Sequence, residues 1–384
     1  MGFGKRIKAC IPLILAVLIL IALVLFSGAE EIVNLLLKAR IEFLLLAFTC
    51  WLASLVFRII RWYTLLQCVG IREKLSSILK ALLAGLALSN LTPGKVAEPL
   101  RAYFFKKLTK REISKVLPSI FVERILDFIA ILTLSIFSLT ALSGKIFYLF
   151  VLGVCFYTAV FGFSVYVLLS QKRITKTTRV FARMFSFIPK VRKKAGEIEG
   201  FAETLHKAFK AQKSKRTLIL AFFPTLFVWI LEGVTLYLCL LSIRAYVDPV
   251  VLITLFPLVT VISLLSFLPG GLGAGEVLAV IVFSSLSTLS YAQLTTALIL
   301  ARVVGFWPTI VIGSYFAGKI KLKGGCTHFR ASRIFLSIPL IASSALENSL
   351  VSSCKAFISL ISFSSALMRL SSSSNRSEIT FVSS

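Results

Sequence analysis

Asn90–Arg101 reads NLTPGKVAEPLR, and Val122–Asp127, a short way behind it, reads VERILD. The same kind of passage returns at Leu268–Glu276, LPGGLGAGE, with ARVVG following at Ala301–Gly305. Each time a Pro-Gly elbow interrupts apolar sequence, an acid stands just beyond it, and a lone arginine comes later. Glu98 to Arg124 is 26 residues, and Glu276 to Arg302 is also 26 residues. Proline removes a backbone donor and glycine permits positive φ, so both elbows suit a break between half-helices. Interrupted hydrophobic segments carrying ionisable groups, placed alike in two halves of a membrane chain, point to a transporter's binding site.

The composition around these elbows calls for lipid. Of 384 residues, 58% are hydrophobic and only 15% charged, which leaves too little polar surface for a water-soluble domain. Lys and Arg outnumber Asp and Glu by 43 to 16, a net +27, and the excess is clustered between apolar runs. It reads first as membrane topology and second as a surface for anionic lipid. No soluble basic domain exists to carry nucleic acid. Cys10, Cys50, Cys68, Cys155, Cys239, Cys326 and Cys354 are scattered without paired spacing and read as small core residues. His206 and His328 are the only histidines, so neither a His-built metal site nor a Ser/His/Asp set is expected, and no cofactor is implied. The run GGLGAGE lacks the Gly-Lys-Ser/Thr ending of a nucleotide loop.

About 20 apolar residues are needed to cross the hydrocarbon core. Ala9–Ser27 qualifies, behind the basic Lys5, Arg6 and Lys8, and reads as an uncleaved first span with a cytoplasmic N-terminus. Glu30–Glu42 reads as a loop. Phe43–Phe57 is short but extends if Glu42 and Arg58 snorkel to the interfaces. Arg58, Arg61, Arg72 and Lys74 then form a basic cytoplasmic stretch. Leu75–Thr92 has basic sequence on both sides, so it reads as a re-entrant hairpin dipping from the cytoplasm and turning at Thr92-Pro93-Gly94. Pro118–Leu142 crosses outward and Ile146–Ser170 returns. Gln171–Arg216, with 14 Lys/Arg against three Glu, stays inside; it reads either as a basic amphipathic segment on the inner leaflet or as a plain connector. Leu218–Ile243 crosses outward with Glu232 in its middle. Leu294–Ala317 must finish inside at Lys319, Lys321 and Lys323, which makes Val250–Leu289 a hairpin from the external face.

The expected fold is therefore an all-α polytopic membrane helical bundle of about six full spans plus two opposed re-entrant hairpins. Span, hairpin, span recurs at about 43–142 and 218–317 in opposite orientation, an inverted repeat, within a transmembrane domain of residues 1–323. Residues 324–384 are rich in serine and read as a poorly structured tail.

The charged groups near the elbows carry two readings each. Glu98 and Arg101 are either a solvated cytoplasmic pair or a carboxylate lining a polar cavity beside an arginine that meets phosphate. Glu123, Arg124 and Asp127 share a helix face by their i,i+3 and i,i+4 steps, and either pin the end of the span or face a cavity. Glu232 and Arg302 either pair with each other for packing, or Arg302 stands with Glu276 beside a substrate path. Pro93, Gly94, Gly271 and Gly273 permit the breaks whose half-helix N-termini can meet an anion. Trp229, Tyr237 and Trp307 read as lipid-facing or interfacial aromatics.

Taken in order, GLALSNLTPGKVAEPLR, ERILD, LPGGLGAGE and ARVVG resemble the lysylphosphatidylglycerol synthase transmembrane-region family, flippase-like membrane proteins also found as the membrane part of some archaeal glycosylation enzymes. The resemblance spans about residues 5–320. It implies roles for Asn90, Glu98, Arg101, Glu123, Arg124, Asp127, Glu276 and Arg302. The family's first elbow carries a second glycine before its acid, where this chain has Ala97. The soluble synthase domain of relatives that make aminoacylated lipids is not seen here, which makes a transporter a better reading than an enzyme. The expected function is translocation, or help in translocation, of an anionic or amphiphilic lipid, such as a phospholipid or a polyprenyl-phosphate carrier, across the cell membrane. The alternatives are a membrane-embedded lipid glycosyl- or aminoacyl-transferase component, or a non-transporting partner of a separate glycosyltransferase.

Overall fold

In the computed structural model, residues 3–138 and 215–320 are described, apart from 93, 94, 96, 264, 265 and 267, together with isolated positions between 151 and 173. The expected return span Ile146–Ser170, the connector 171–216 and the tail 324–384 thus lie wholly or very largely outside the described residues, as do Pro93 and Gly94.

The chain is all-α. Helix α1 (Phe3–Ser27) meets α2 (Ala29–Leu37) at Gly28, where the axis turns by 88° on a residue with φ 94°. Much of Glu30–Glu42, expected as a loop, is thus helical, to Leu37 and again from Ile41; Glu30 and Glu31 occupy the first turn of α2, where carboxylates complement the positive end of the helix dipole. Helix α3 (Ile41–Cys68) does not stop at Arg58. A run of 15 residues cannot span a bilayer, and the apolar sequence IIRWYTLL allows the helix to continue. Arg58 and Arg61 consequently sit inside a helix rather than in a cytoplasmic loop. Helices α4 (Leu75–Leu91), α5 (Leu100–Thr109) and α6 (Ile113–Ser138) follow.

The second described stretch also sets short arms between longer helical spans. It runs through α7 (Lys215–Ser242), α8 (Pro249–Ser263), α9 (Ala274–Ser284), α10 (Tyr291–Ala301), a π-helical turn (Arg302–Phe306) and α11 (Trp307–Lys319). Helices α10 and α11 continue through the π turn as one apolar span, so among the described residues three helical stretches are long and apolar enough to cross a membrane: Ile41–Cys68, Lys215–Ser242 and Tyr291–Lys319. The bent α1–α2 pair makes a fourth if it counts as one span. Both elbow passages are helix–break–helix units, of 17 and 10 residues in the first half and 15 and 11 in the second. At roughly 1.5 Å rise per residue, none of these arms reaches the ~30 Å of a hydrocarbon core.

The halves interlock. Helix α3 lies along α7; α4, the first arm of one half, packs on α11 of the other; α8, the first arm of the second half, packs on α6 of the first. Close approach between α4 and α11 depends on Gly313, since a Cβ there would collide with the Leu83 carbonyl and stand 2.6 Å from Ala87 Cβ. The main core gathers Trp51, Leu55, Leu236, Leu240, Leu255 and Phe283 between these helices. The outward faces are apolar as well: Leu18, Phe26, Leu45, Ile136, Val250 and Val303 are all exposed. A continuous apolar exterior of this kind is matched to acyl chains rather than to water.

Candidate functional site

Two groups of charges lie within the bundle, and they differ in character. The first is sealed except at Arg124, whose side chain is 41% exposed. Arg61 of α3 reaches two acids on α6, with Nε 3.0 Å from Glu123 Oε1 and Nη1 2.6 Å from Asp127 Oδ1. Arg101 of α5 pairs with the other oxygen of Glu123 and stacks on the Trp62 ring, 4.7 Å from its centroid. Arg124 bridges Glu98 at 3.0 Å and Asp127 at 2.8 Å. Three arginines thus meet three carboxylates. Arg61 and Arg101 are 1% exposed and Glu123 is 0% exposed. Charges so deeply removed from water persist only when paired and hydrogen-bonded.

Trp229 of α7 completes this cluster by donating its indole N–H to Asp127 Oδ1 at 3.0 Å. It was expected to face lipid, yet it is buried. An indole combines a large apolar body with one donor, and here both find a place in the protein interior. Trp229→Phe keeps the shape and removes the donor. We expect a loss of about 1–2 kcal/mol of stability, read as a lower unfolding midpoint in detergent, with Asp127→Asn/Trp229→Phe no worse than Asp127→Asn alone.

The second group is open. A cavity of about 180 Å³ lies where the two elbows approach each other, and its charged lining is Arg58, Lys95, Glu232, Glu276 and Arg302. Glu276, in the first turn of α9, is 1% exposed. Its Oε1 accepts from Arg302 Nε at 2.5 Å, while its Oε2 has no hydrogen-bond partner among the described residues. Arg302 opens the π-helical turn, a widened helical geometry that recurs frequently at functional sites. Its guanidinium also approaches the Gly270 carbonyl at 3.4 Å and lies over the Phe306 ring at 4.8 Å. Gly270 has φ 58°, and a Cβ on it would press against Phe306 and the Asn90 carbonyl; only glycine lets the second elbow sit this close to the end of α4. Opposite, Glu232 of α7 pairs with Arg58 of α3.

The residues singled out in the sequence therefore divide. Asn90, Glu232, Glu276 and Arg302 line the cavity. Glu98, Arg101, Glu123, Arg124 and Asp127 form the sealed cluster. Gly271 and Gly273, with φ of 69° and 79°, shape the second elbow without lining the cavity. The equal 26-residue spacings have a structural counterpart, since Glu98–Arg124 and Glu276–Arg302 are both ion pairs. Glu232 and Arg302 do not pair with each other. Sequence reasoning missed Arg58, Arg61 and Lys95. The first two were discoverable from the shortness of Phe43–Phe57 and their i,i+3 spacing, which sets them on one helix face. Lys95 had no comparable signal.

Interlocked apolar helices around a polar, charged interior define a multi-pass helical membrane protein. The chain belongs to the family described as the lysylphosphatidylglycerol synthase TM region, whose model matches residues 13–313. It is 27% identical over 336 residues to a UPF0104 membrane protein of Methanothermobacter thermautotrophicus, covering 82% of this chain and 98% of that one. A UPF0104 membrane protein of Pyrococcus horikoshii is 26% identical over 328 residues, covering 80% of this chain and 96% of the relative. The glycosyltransferase AglD of Haloferax volcanii is 26% identical over 353 residues, which take in 83% of this chain and 55% of AglD.

Proposed function

We propose that this protein translocates, or assists in translocating, an anionic or amphiphilic lipid headgroup across the cell membrane. The observation that carries this reading is the charged cavity between two broken-helix elbows, enclosed by an otherwise apolar bundle. Its volume suits a headgroup and not a whole lipid, so the acyl or prenyl chains stay in the bilayer while the polar part passes between the halves. The elbow arms, each too short to cross, act as re-entrant hairpins entering from opposite faces. The reciprocal packing of α4 on α11 and α8 on α6 supports an inverted repeat of about 43–142 and 218–317, with the N-terminus cytoplasmic. Inverted repeats place substrate sites where their discontinuous helices meet.

The test is reconstitution of the full chain in vesicles with a headgroup-labelled phospholipid, followed by quenching from outside. Protein-containing vesicles should expose the inner-leaflet label faster than vesicles holding an unrelated membrane protein. Equal rates overturn the proposal. The likeness to AglD favours one second reading, a membrane platform that works beside a glycosyltransferase. Co-purification with such an enzyme, together with unaltered lipid movement, would select it.

A further inference from the structure

The cavity's charges do not balance. Arg58 is held by Glu232 and Arg302 by Glu276, which leaves Lys95 as the one lining cation with no ion-pair partner among the described residues. Lys95 is also fixed in an unusual way. It lies on the first elbow with φ 55°, a left-handed conformation that side chains with a Cβ seldom adopt. Its backbone is held there from both sides, by the Lys95 N–H on the Thr92 carbonyl at 3.2 Å and by the Ser89 hydroxyl on the Lys95 carbonyl at 3.3 Å. Strained backbone of this kind persists where the surroundings over-determine it, and it clusters at ligand sites. Across the cavity, α9 begins at the second elbow and turns the positive end of its dipole to the same space.

We propose that the cavity is a site for one negative charge, the phosphodiester monoanion of a lipid headgroup, and that Lys95 is the side chain that selects it. This rests on the lipid-translocating reading above and adds the charge class of the substrate. Three lining cations face two carboxylates, so a single negative charge brings the enclosed space to neutrality. A zwitterion leaves the surplus unchanged, a dianion reverses it, and a phosphodiester carrying two ammonium groups, as a lysyl ester does, raises it. Uncompensated charge is disfavoured in a cavity set in an apolar bundle, where water screens it only in part. The resulting order of preference is monoanion first, dianion and zwitterion below it, and cationic aminoacyl headgroups last.

The experiment uses the full chain in detergent and measures equilibrium binding of short-chain lipids by tryptophan fluorescence, since Trp51 lines the cavity. The probes are phosphatidylglycerol, phosphatidylcholine, phosphatidic acid in its dianionic form, lysylphosphatidylglycerol, water-soluble glycerophosphoglycerol and inorganic phosphate. Phosphatidylglycerol should bind at least tenfold more tightly than phosphatidylcholine or lysylphosphatidylglycerol. Lys95→Gln should abolish that preference and Lys95→Arg should keep it. Lys95→Gly, which relieves the left-handed backbone, serves as the folded variant should Lys95→Gln be unstable, and should lose the preference likewise. Equal affinities across headgroup charge, or a preference untouched in Lys95→Gln and Lys95→Gly, overturn the inference even where vesicles show lipid movement. Charge-selective binding that depends on Lys95 but comes with no lipid movement upholds the anion site and overturns the translocating reading. Tighter binding of glycerophosphoglycerol or phosphate than of the lipid assigns the site to a soluble anion and overturns the lipid part.

Discussion

Glu123→Ala should lower the unfolding midpoint of the detergent-solubilised protein by roughly 4–6 °C, the largest stability effect expected of a single substitution in this chain. Glu123 is 0% exposed and answers two arginines that are each 1% exposed. Asp127 stays beside Arg61 when Glu123 is lost, but Arg101 keeps only the Trp62 face and the more distant field of Glu98. Breaking a buried pair from one side strands a charge and costs about 3–5 kcal/mol, a large part of the 5–15 kcal/mol by which folded chains are typically stable. At about 2.1 cal/mol/K of unfolding entropy per residue, each kcal/mol moves the midpoint of a chain this long by roughly 1 °C. The check is the midpoint from size-exclusion profiles after heating. Glu123→Ala/Arg101→Met should recover more than half of the loss, because the stranded charge is gone and an unbranched side chain still covers Trp62. An unchanged midpoint in the single variant would show that the cluster is not the anchor described.

The second large effect is on transport. Arg302→Gln should reduce lipid movement at least tenfold in the vesicle assay, since Arg302 both lines the cavity and neutralises Glu276. Charge-assisted hydrogen bonds of this kind contribute about 1.5–3 kcal/mol, which corresponds to that range of rate or affinity. The single variant also leaves Glu276 buried without its cation, so stability falls too. Glu276→Gln/Arg302→Gln separates the two consequences: the stranded carboxylate is removed, so the unfolding midpoint should return towards wild type while transport stays low. Recovery of transport in the double variant would make the pair a packing element and remove its place in substrate handling. By contrast, Arg101 and Arg61 have their guanidiniums committed to buried carboxylates. They are positioning groups that set α3, α5 and α6 against one another.

The difference between the two clusters follows from what surrounds each chain break. After the first elbow comes α5, which packs under α4 and carries Arg101 into the interior beside Trp62. Glu98 and Arg124 are drawn towards the edge of that sealed set. After the second elbow, glycines at 270 and 275 keep the backbone thin, and the π-helical turn at Arg302 widens the facing helix. A cavity remains there. The two elbows have similar sequence and equal spacing, and both reach the cavity, yet only the second sets its acid–arginine pair on it.

Much of this was legible from residues alone. Long apolar runs, basic clusters between them and two Pro-Gly breaks specify a polytopic helical bundle, because lipid admits few other ways to satisfy a backbone. Equal 26-residue intervals marked Glu98 with Arg124 and Glu276 with Arg302, and both couples are joined in space. Local pattern cannot, however, tell a charge that flanks a span from one buried inside it. Arg58 and Arg61 looked like a basic flank because positive charge next to an apolar run usually sits in water. Their carboxylate partners, Glu232, Glu123 and Asp127, lie 62 to 174 residues away, beyond the reach of any periodicity. Trp229 looked like an interfacial aromatic for the same reason.

What the amino-acid order decided by itself is where helices form, where they break, and which few charges must be hidden from lipid. Which cation faces which anion, and which one is left over, came only from the packing of α3 along α7 and of the first arm of each elbow on the opposite half. Ion pairing in a low-dielectric interior depends on distances of a few ångströms between segments far apart in the chain, and only the folded arrangement sets those.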